Sequence, residues 1–206
     1  VTAFLYVGLG GRPYWNSAII APRFLASAFT AGPGFLILTL GIIRRVSSYK
    51  ISNEALLMLR SIVQVSMIIN VFLLLCELFK EFYTDSAHVA SAKYLYFGLH
   101  GHYGLVPWIW TAMALDLAAL ILLVLPLSRN RLKYLNVACV LAIVGILIEK
   151  GMGLIIPAFV PSPLGEIVEY FPTLNEWLVC AGIWAFGLML YTLFLKMTLP
   201  VLTGEL

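Results

Sequence analysis

The sequence predicts an all-α integral membrane protein, a bundle of five transmembrane helices. Three observations predict it. Of 206 residues, 62% are hydrophobic and 11% charged, against roughly 45–50% and 25% in soluble globular proteins. So few charges cannot cover a surface that faces water, and the mean hydropathy of +0.97 agrees. Five runs each reach the length of about 20 apolar residues that crosses a hydrocarbon core. The bases fall in short clusters between those runs, which is how membrane topology is written. The same figures exclude a disordered chain, a collagen-like repeat and a disulfide scaffold. The net charge of +3 forms no basic face for nucleic acid.

The first span is expected from about Ala18 to Ile43. It holds Gly32-Pro33-Gly34, where proline removes a backbone donor and a kink is expected. Ala26, Ser27, Ala28, Ala31 and Gly32 are small enough to admit a close neighbour. The second span is expected from about Ala55 to Phe79 and the third from Val106 to Leu127. The fourth is expected from Tyr134 to Ile156 and the fifth from Glu176 to Leu199.

Arg44, Arg45 and Lys50 lie between the first and second spans, and Arg129, Arg131 and Lys133 between the third and fourth. Pro157–Asn175 has no Lys or Arg, and in Lys80–Gly104 the bases Lys80 and Lys93 are balanced by Glu81 and Asp85. The positive-inside rule therefore puts Val1–Ser17 and the two longer loops outside and the C-terminus in the cytoplasm. Tyr14, Trp15, Trp108, Trp110, Tyr170, Phe171 and Trp177 then fall at the outer interface, as an aromatic belt.

Ionisable groups inside a membrane are costly and usually face the bundle interior. Arg23 opens the first span, with Ser27 and Thr30 on its face. In the second span, Arg60, Gln64 and Met67 share one face, and Ser66, Asn70 and Glu77 a neighbouring one. Asp116 sits near the middle of the third span, and Glu149 and Lys150 in the outer half of the fourth. Arg23, Glu77, Glu149 and Lys150 are expected towards the outside, and Arg60 and Lys196 towards the cytoplasm. Such charges either neutralise one another as a structural network or line a proton path. Arg60, Glu77, Asp116, Glu149 and Lys150 are the proton-path candidates, and no residue is singled out as catalytic.

Cys76, Cys139 and Cys180 each sit in an apolar run without a CxxC partner and read as small hydrophobes, not metal or cluster ligands. All three histidines, His88, His100 and His102, lie outside the spans. A bundle haem needs axial ligands on facing helices, so no haem is expected in this chain. His100 and His102 are candidates for partner contact. So are Glu166 and Glu169, in a loop stiffened by Pro161, Pro163 and Pro172.

Two stretches resemble a known family: PYWNSAIIAPRFLASAFTAG at 13–32, and 148–200, with EKGMG and SPLGEIVEYFPT. Both are similar to the NrfD/PsrC family, membrane subunits of polysulfide-reductase-type complexes, and most of all to the P subunits of DsrMKJOP-type sulfite-reduction complexes. The resemblance covers essentially the whole chain. It implies a haem-free subunit of a respiratory chain of anaerobic sulfur metabolism in a prokaryotic cytoplasmic membrane. Such a subunit exchanges electrons and protons between a quinone, usually menaquinone, and a ferredoxin-like iron–sulfur subunit outside, with catalysis in other subunits. Cytochrome c and cytochrome b subunits are further implied partners, beside membrane lipid. Family members are about twice this long, and the PYWN opening resembles the start of their second bundle. Residues 1–206 are therefore expected to be a C-terminal half, and the quinone pocket is expected mostly in the other half, so no quinone-binding residue is assigned. A secondary transporter using Asp116 and Glu149 and a purely structural anchor are the competing readings.

Overall fold

The computed structural model describes residues 2–47, 49–83, 89–126, 128, 131–162 and 165–203. Asp85, His88, Arg129 and Pro163 lie outside the described residues. The regular structure of the described residues is helical, apart from one isolated antiparallel bridge between Leu99 and His102. The helices are α1 (Thr2–Val7), α2 (Ile20–Val46), α3 (Asn53–Tyr83), α4 (Val89–Tyr96), α5 (Val106–Val124), α6 (Leu132–Lys150) and α7 (Leu174–Thr203). Five of them, with α6 extended to Phe159, are long and apolar enough to cross a membrane. Each covers one expected span to within a few residues.

The boundaries have local causes. Helix α5 stops at Val124 because Pro126 follows. Leu125 takes extended geometry (φ −64°, ψ 146°), as the residue before a proline does. Helix α7 opens on a capping box: the Thr173 N–H donates to Glu176 Oε2 (2.6 Å) and the Glu176 N–H to Thr173 Oγ1 (3.4 Å). Helix α2 runs on through Pro33. The close approach falls at Gly34, whose Cβ would stand 3.8 Å from the Cβ of Cys139, whereas a Cβ on Gly32 meets nothing.

The chain divides into two units, Val1–Leu38 with Asn53–Glu169, and Thr39–Ser52 with Tyr170–Leu206. In the first, helices α2, α3, α5 and α6 each bury one stripe. On α3 it is Leu56, Arg60, Val63, Met67, Asn70, Leu74, Glu77 and Glu81, an unbroken alternation of four and three residues, the seam of left-handed helix packing. The two faces read from the sequence thus merge into one stripe, with Gln64 and Ser66 beside it. On α5 the stripe is Ile109, Ala112, Asp116, Ala119 and Leu123. The outward faces are apolar: Phe72, Leu75 and Phe79 are 62%, 56% and 67% exposed. Apolar outside with charges inside is the arrangement a lipid solvent demands. In the second unit, Tyr191 donates to Thr39 Oγ1 (3.2 Å) and no residue of α7 is buried.

Two apolar layers fill the first unit. One joins Ile37, Val63, Met67, Ala119, Leu123, Leu135, Ala138, Cys139 and Ala142. The other, at the opposite ends of the helices, joins Tyr14, Trp15 and Ile20 to Tyr94, Leu95 and Tyr96 of α4 and to Leu154, Ala158 and Val160. Helix α4 lies within the expected loop Lys80–Gly104. Tyr14 and Trp15, expected in an interfacial belt, are 6% and 4% exposed. They are core residues, packed in one cluster with α4 and with Leu154, Ala158 and Val160. Trp110, Tyr170, Phe171 and Trp177 remain exposed.

Candidate functional site: a buried ionic cluster

Helix α6 ends in a wide π turn, Gly151–Ile155, followed by a 3-10 turn at Pro157–Phe159. Gly151 and Gly153 weaken the α-helix, and Pro157 has no N–H to offer the Gly153 carbonyl. That carbonyl instead accepts the Tyr14 hydroxyl (3.2 Å), and the next, Leu154, accepts Trp15 Nε1–H (2.9 Å). The PYWN and EKGMG stretches therefore meet in space. Burial, and then the neighbouring Tyr96, push the Tyr14 phenol up; burial pushes Tyr96 up to about 12. Both phenols stay protonated near neutral pH, and Tyr14 acts here as a donor, not a base.

Beneath this latch lies the ionic cluster. Arg23 of α2 is its hub: Nη1 pairs with Glu77 of α3, and Nη2 lies 2.7 Å from Glu149 Oε1 of α6. Lys150 Nζ reaches the same Glu149 oxygen at 2.6 Å and stands 5.1 Å from the centre of the Phe24 ring. Exposure decides the energetics: Arg23 is 6%, Glu77 4% and Glu149 2% exposed, so water screens little and removing one partner strands the others. At the rim, Lys80 Nζ lies 3.3 Å from Glu81 Oε1 and donates to Ser17 Oγ (3.1 Å).

Asp116 of α5 is 1% exposed; neither carboxyl oxygen accepts from an N–H or hydroxyl, and the Glu149 carboxyl lies within hydrogen-bonding reach. The charges acting on it are Glu149 first, then Lys150 and Arg23. It fits because position 145 of α6 is glycine: a Cβ there would stand 2.3 Å from Asp116 Oδ1. Asp116 leaves three buried carboxyls, with Glu77 and Glu149, facing the two cations Arg23 and Lys150.

Of the sequence candidates, Glu77, Asp116, Glu149 and Lys150 come together. Arg60 stands apart, beyond the apolar layer of Val63 and Met67. Its Nε donates to Ser128 Oγ (3.0 Å) and its Nη2 to the Leu123 carbonyl (2.7 Å), in the last turn of α5. A cation there complements the helix dipole. His102 and Glu169 face each other, Nδ1 to Oε2 3.6 Å, and Glu169 also accepts the Gly104 N–H (3.0 Å). His100 and Glu166 are exposed. His100 has φ 49° and Gly101 φ 87°; left-handed geometry at both central residues is that of a type I′ turn. Arg23 as hub, Tyr14, Asn70, Glu81 and Gly145 were not among the candidates. The four-three spacing from Arg60 to Glu81 on α3 is the signal that finds Asn70 and Glu81.

Among the described residues, no group of three or more His, Cys, Asp or Glu could hold a metal ion. A cavity of 580 Å³ is a cleft between α1 and the start of α2, lined by Phe4, Ala18, Pro22, Phe24 and Leu25 among others. A second, of 370 Å³, lies along α7 at Asn175, Glu176, Cys180 and Trp184.

No curated protein and no solved structure matches the chain. The family model described as "Polysulphide reductase, NrfD" matches residues 1–160, which include both the Tyr14–Trp15 latch and the ionic cluster. The chain therefore belongs to the NrfD family, multi-pass, quinone-interacting membrane subunits of oxidoreductase complexes that associate with iron–sulfur subunits.

Proposed function

We propose that this chain is the proton-handling bundle of a quinone-linked respiratory oxidoreductase, and that the Arg23–Glu77–Glu149–Lys150–Asp116 cluster is its proton site. The observation that carries the reading is the charge count. The buried Arg23 and the half-buried Lys150 face three buried carboxyls. In a low-dielectric interior a net charge is expensive, so the cluster is neutral when one carboxyl holds a proton. That proton is the one available for exchange. Lys150, 16% exposed at its side chain, and the rim pair Lys80–Glu81 connect the cluster to its own end of the bundle. By the positive-inside rule that end faces outward. The apolar layer from Ile37 to Leu135 separates it from Arg60, which favours proton exchange with the outer side.

A quinone headgroup needs donors for its carbonyl oxygens. The cleft beside α1 is lined almost wholly by apolar side chains. In the cavity on α7, Glu176 is already engaged with Thr173. Neither lining fits a headgroup, so no step is routed through quinone in this chain. The family resemblance puts the quinone pocket mostly in another bundle, with residues 1–206 as one bundle of a two-bundle protein. Electrons pass between menaquinone and an iron–sulfur subunit docked outside, with cytochrome c and cytochrome b subunits in the Dsr-type assembly.

Two measurements test this. In the purified complex, Asp116→Asn and Glu149→Gln each lower quinone-linked turnover on the order of 100-fold, the range lost with a positioned acid–base group, while the subunit content stays constant. Unchanged turnover in both variants leaves the cluster a structural role only. Mass spectrometry of mild-detergent membranes recovers, in near-equal amount, a partner with several four-cysteine cluster motifs. A chain that purifies alone and without iron refutes the complex.

A further inference from the structure

Asn70 is fully buried on the interior stripe of α3, and neither its amide nitrogen nor its amide oxygen has a hydrogen-bond partner. Buried polar groups are almost always satisfied, and an unsatisfied amide in a membrane bundle is costly. Helix register shows what surrounds it. Helices α2 and α3 are antiparallel and tied at Arg23–Glu77. Seven residues along each, about 10 Å, reach Thr30 and Asn70 at one height. Helices α3 and α5 are tied at Arg60 and Leu123. Seven residues along each reach Met67 and Asp116, about one turn from Asn70.

Thr30 is fully buried and spends its hydroxyl hydrogen on the Ala26 carbonyl (2.9 Å), leaving oxygen lone pairs free to accept. Asp116 brings two oxygens that accept from no N–H or hydroxyl, and Gly145 opposite brings no side chain. This part of the bundle thus gathers the Asn70 amide, whose donor and acceptor have no protein partner, with acceptor lone pairs on Thr30 and Asp116. Water is the guest that both donates and accepts, and buried waters settle on such otherwise unsatisfied groups.

We propose that Asn70, Thr30 and Asp116 enclose a bound-water site at the blind inner end of the ionic cluster. Its water accepts from Asn70 Nδ2–H and donates to the Asp116 carboxyl. Met67 and Val63 close it below. The role of this water as the resting place of the exchangeable proton depends on the proton-site reading; its presence does not.

The test is a map of the intact complex at a resolution that shows other buried waters, with turnover measured on two variants. Density belonging to no protein atom, within hydrogen-bond distance of the Asn70 amide and the Asp116 carboxyl, is expected. Asn70→Leu, close in shape, is expected to remove that density and lower quinone-linked turnover roughly tenfold or more. Thr30→Val is expected to weaken the density with a smaller loss and guards against a folding failure at Asn70. No density in the wild-type map overturns the proposal. So does density coordinated by five or six oxygens at cation distances, with turnover that requires sodium. Density present while Asp116→Asn turns over normally keeps the water site and sinks the proton reading instead.

Discussion

Arg23→Met is expected to cost about 3–5 kcal/mol of stability, the range for breaking a buried ion pair. The methionine leaves Glu77 and Glu149 facing each other at 4% and 2% exposure, with Lys150 as the remaining cation. Arg23→Lys recovers part of the loss. A single ammonium lacks the fork that lets Nη1 serve Glu77 while Nη2 serves Glu149. The triple replacement Arg23→Met, Glu77→Gln, Glu149→Gln separates charge from shape. It restores stability towards wild type, because ion partners replaced together by groups of similar size are often neutral or better, and Lys150 and Asp116 remain as one cation and one carboxyl. Thermal unfolding of the purified complex gives the order wild type, lysine variant, methionine variant. A methionine variant as stable as wild type refutes the hub.

Much of this was legible in the sequence. Five spans follow from apolar runs because transmembrane helices satisfy their own backbone and need only length. Glu77, Asp116, Glu149 and Lys150 were legible as interior groups because hydrocarbon rejects them everywhere else. What escaped is what depends on partners far along the chain. Tyr14 and Trp15 read as interfacial rings, since rings at a span's end usually are. Their burial depends on α4 and on two carbonyls 139 residues away. Arg60 read as one more proton-path group. Only the end of α5 at Leu123–Ser128 shows that it serves a helix terminus. Asn70 was legible as a face-mate of Glu77, but its place on one stripe with Arg60 and Met67 shows only when the four-three alternation is laid out.

Gly145→Ala is expected to disturb the site more than any other single methyl group. The added Cβ would stand 2.3 Å from Asp116 Oδ1, 3.0 Å from Asp116 Cγ and 3.3 Å from the Ala112 carbonyl. A long side chain could swing away from such a contact. Asp116 has one carbon between backbone and carboxyl, and it is 1% exposed. Either its χ1 turns, moving the carboxyl off Glu149, or α5 and α6 separate along a face otherwise packed by Ala112, Ala119, Ala138 and Ala142. Overpacking of this kind costs about 1–3 kcal/mol. Asp116→Ala removes the obstructing atoms, so the pair of substitutions distinguishes a clash from a mere change in helix propensity. Alanine is the better helix former by about 1 kcal/mol, so a merely local effect of Gly145→Ala would be stabilising. A clash instead makes Gly145→Ala destabilising in the Asp116 protein and stabilising in the Asp116→Ala protein. A double-mutant cycle measured by thermal unfolding then gives a coupling above about 1 kcal/mol, as expected for residues in contact. Additivity within about 0.3 kcal/mol would mean that Asp116 does not sit against position 145, and the geometry of the proton site would fall with it.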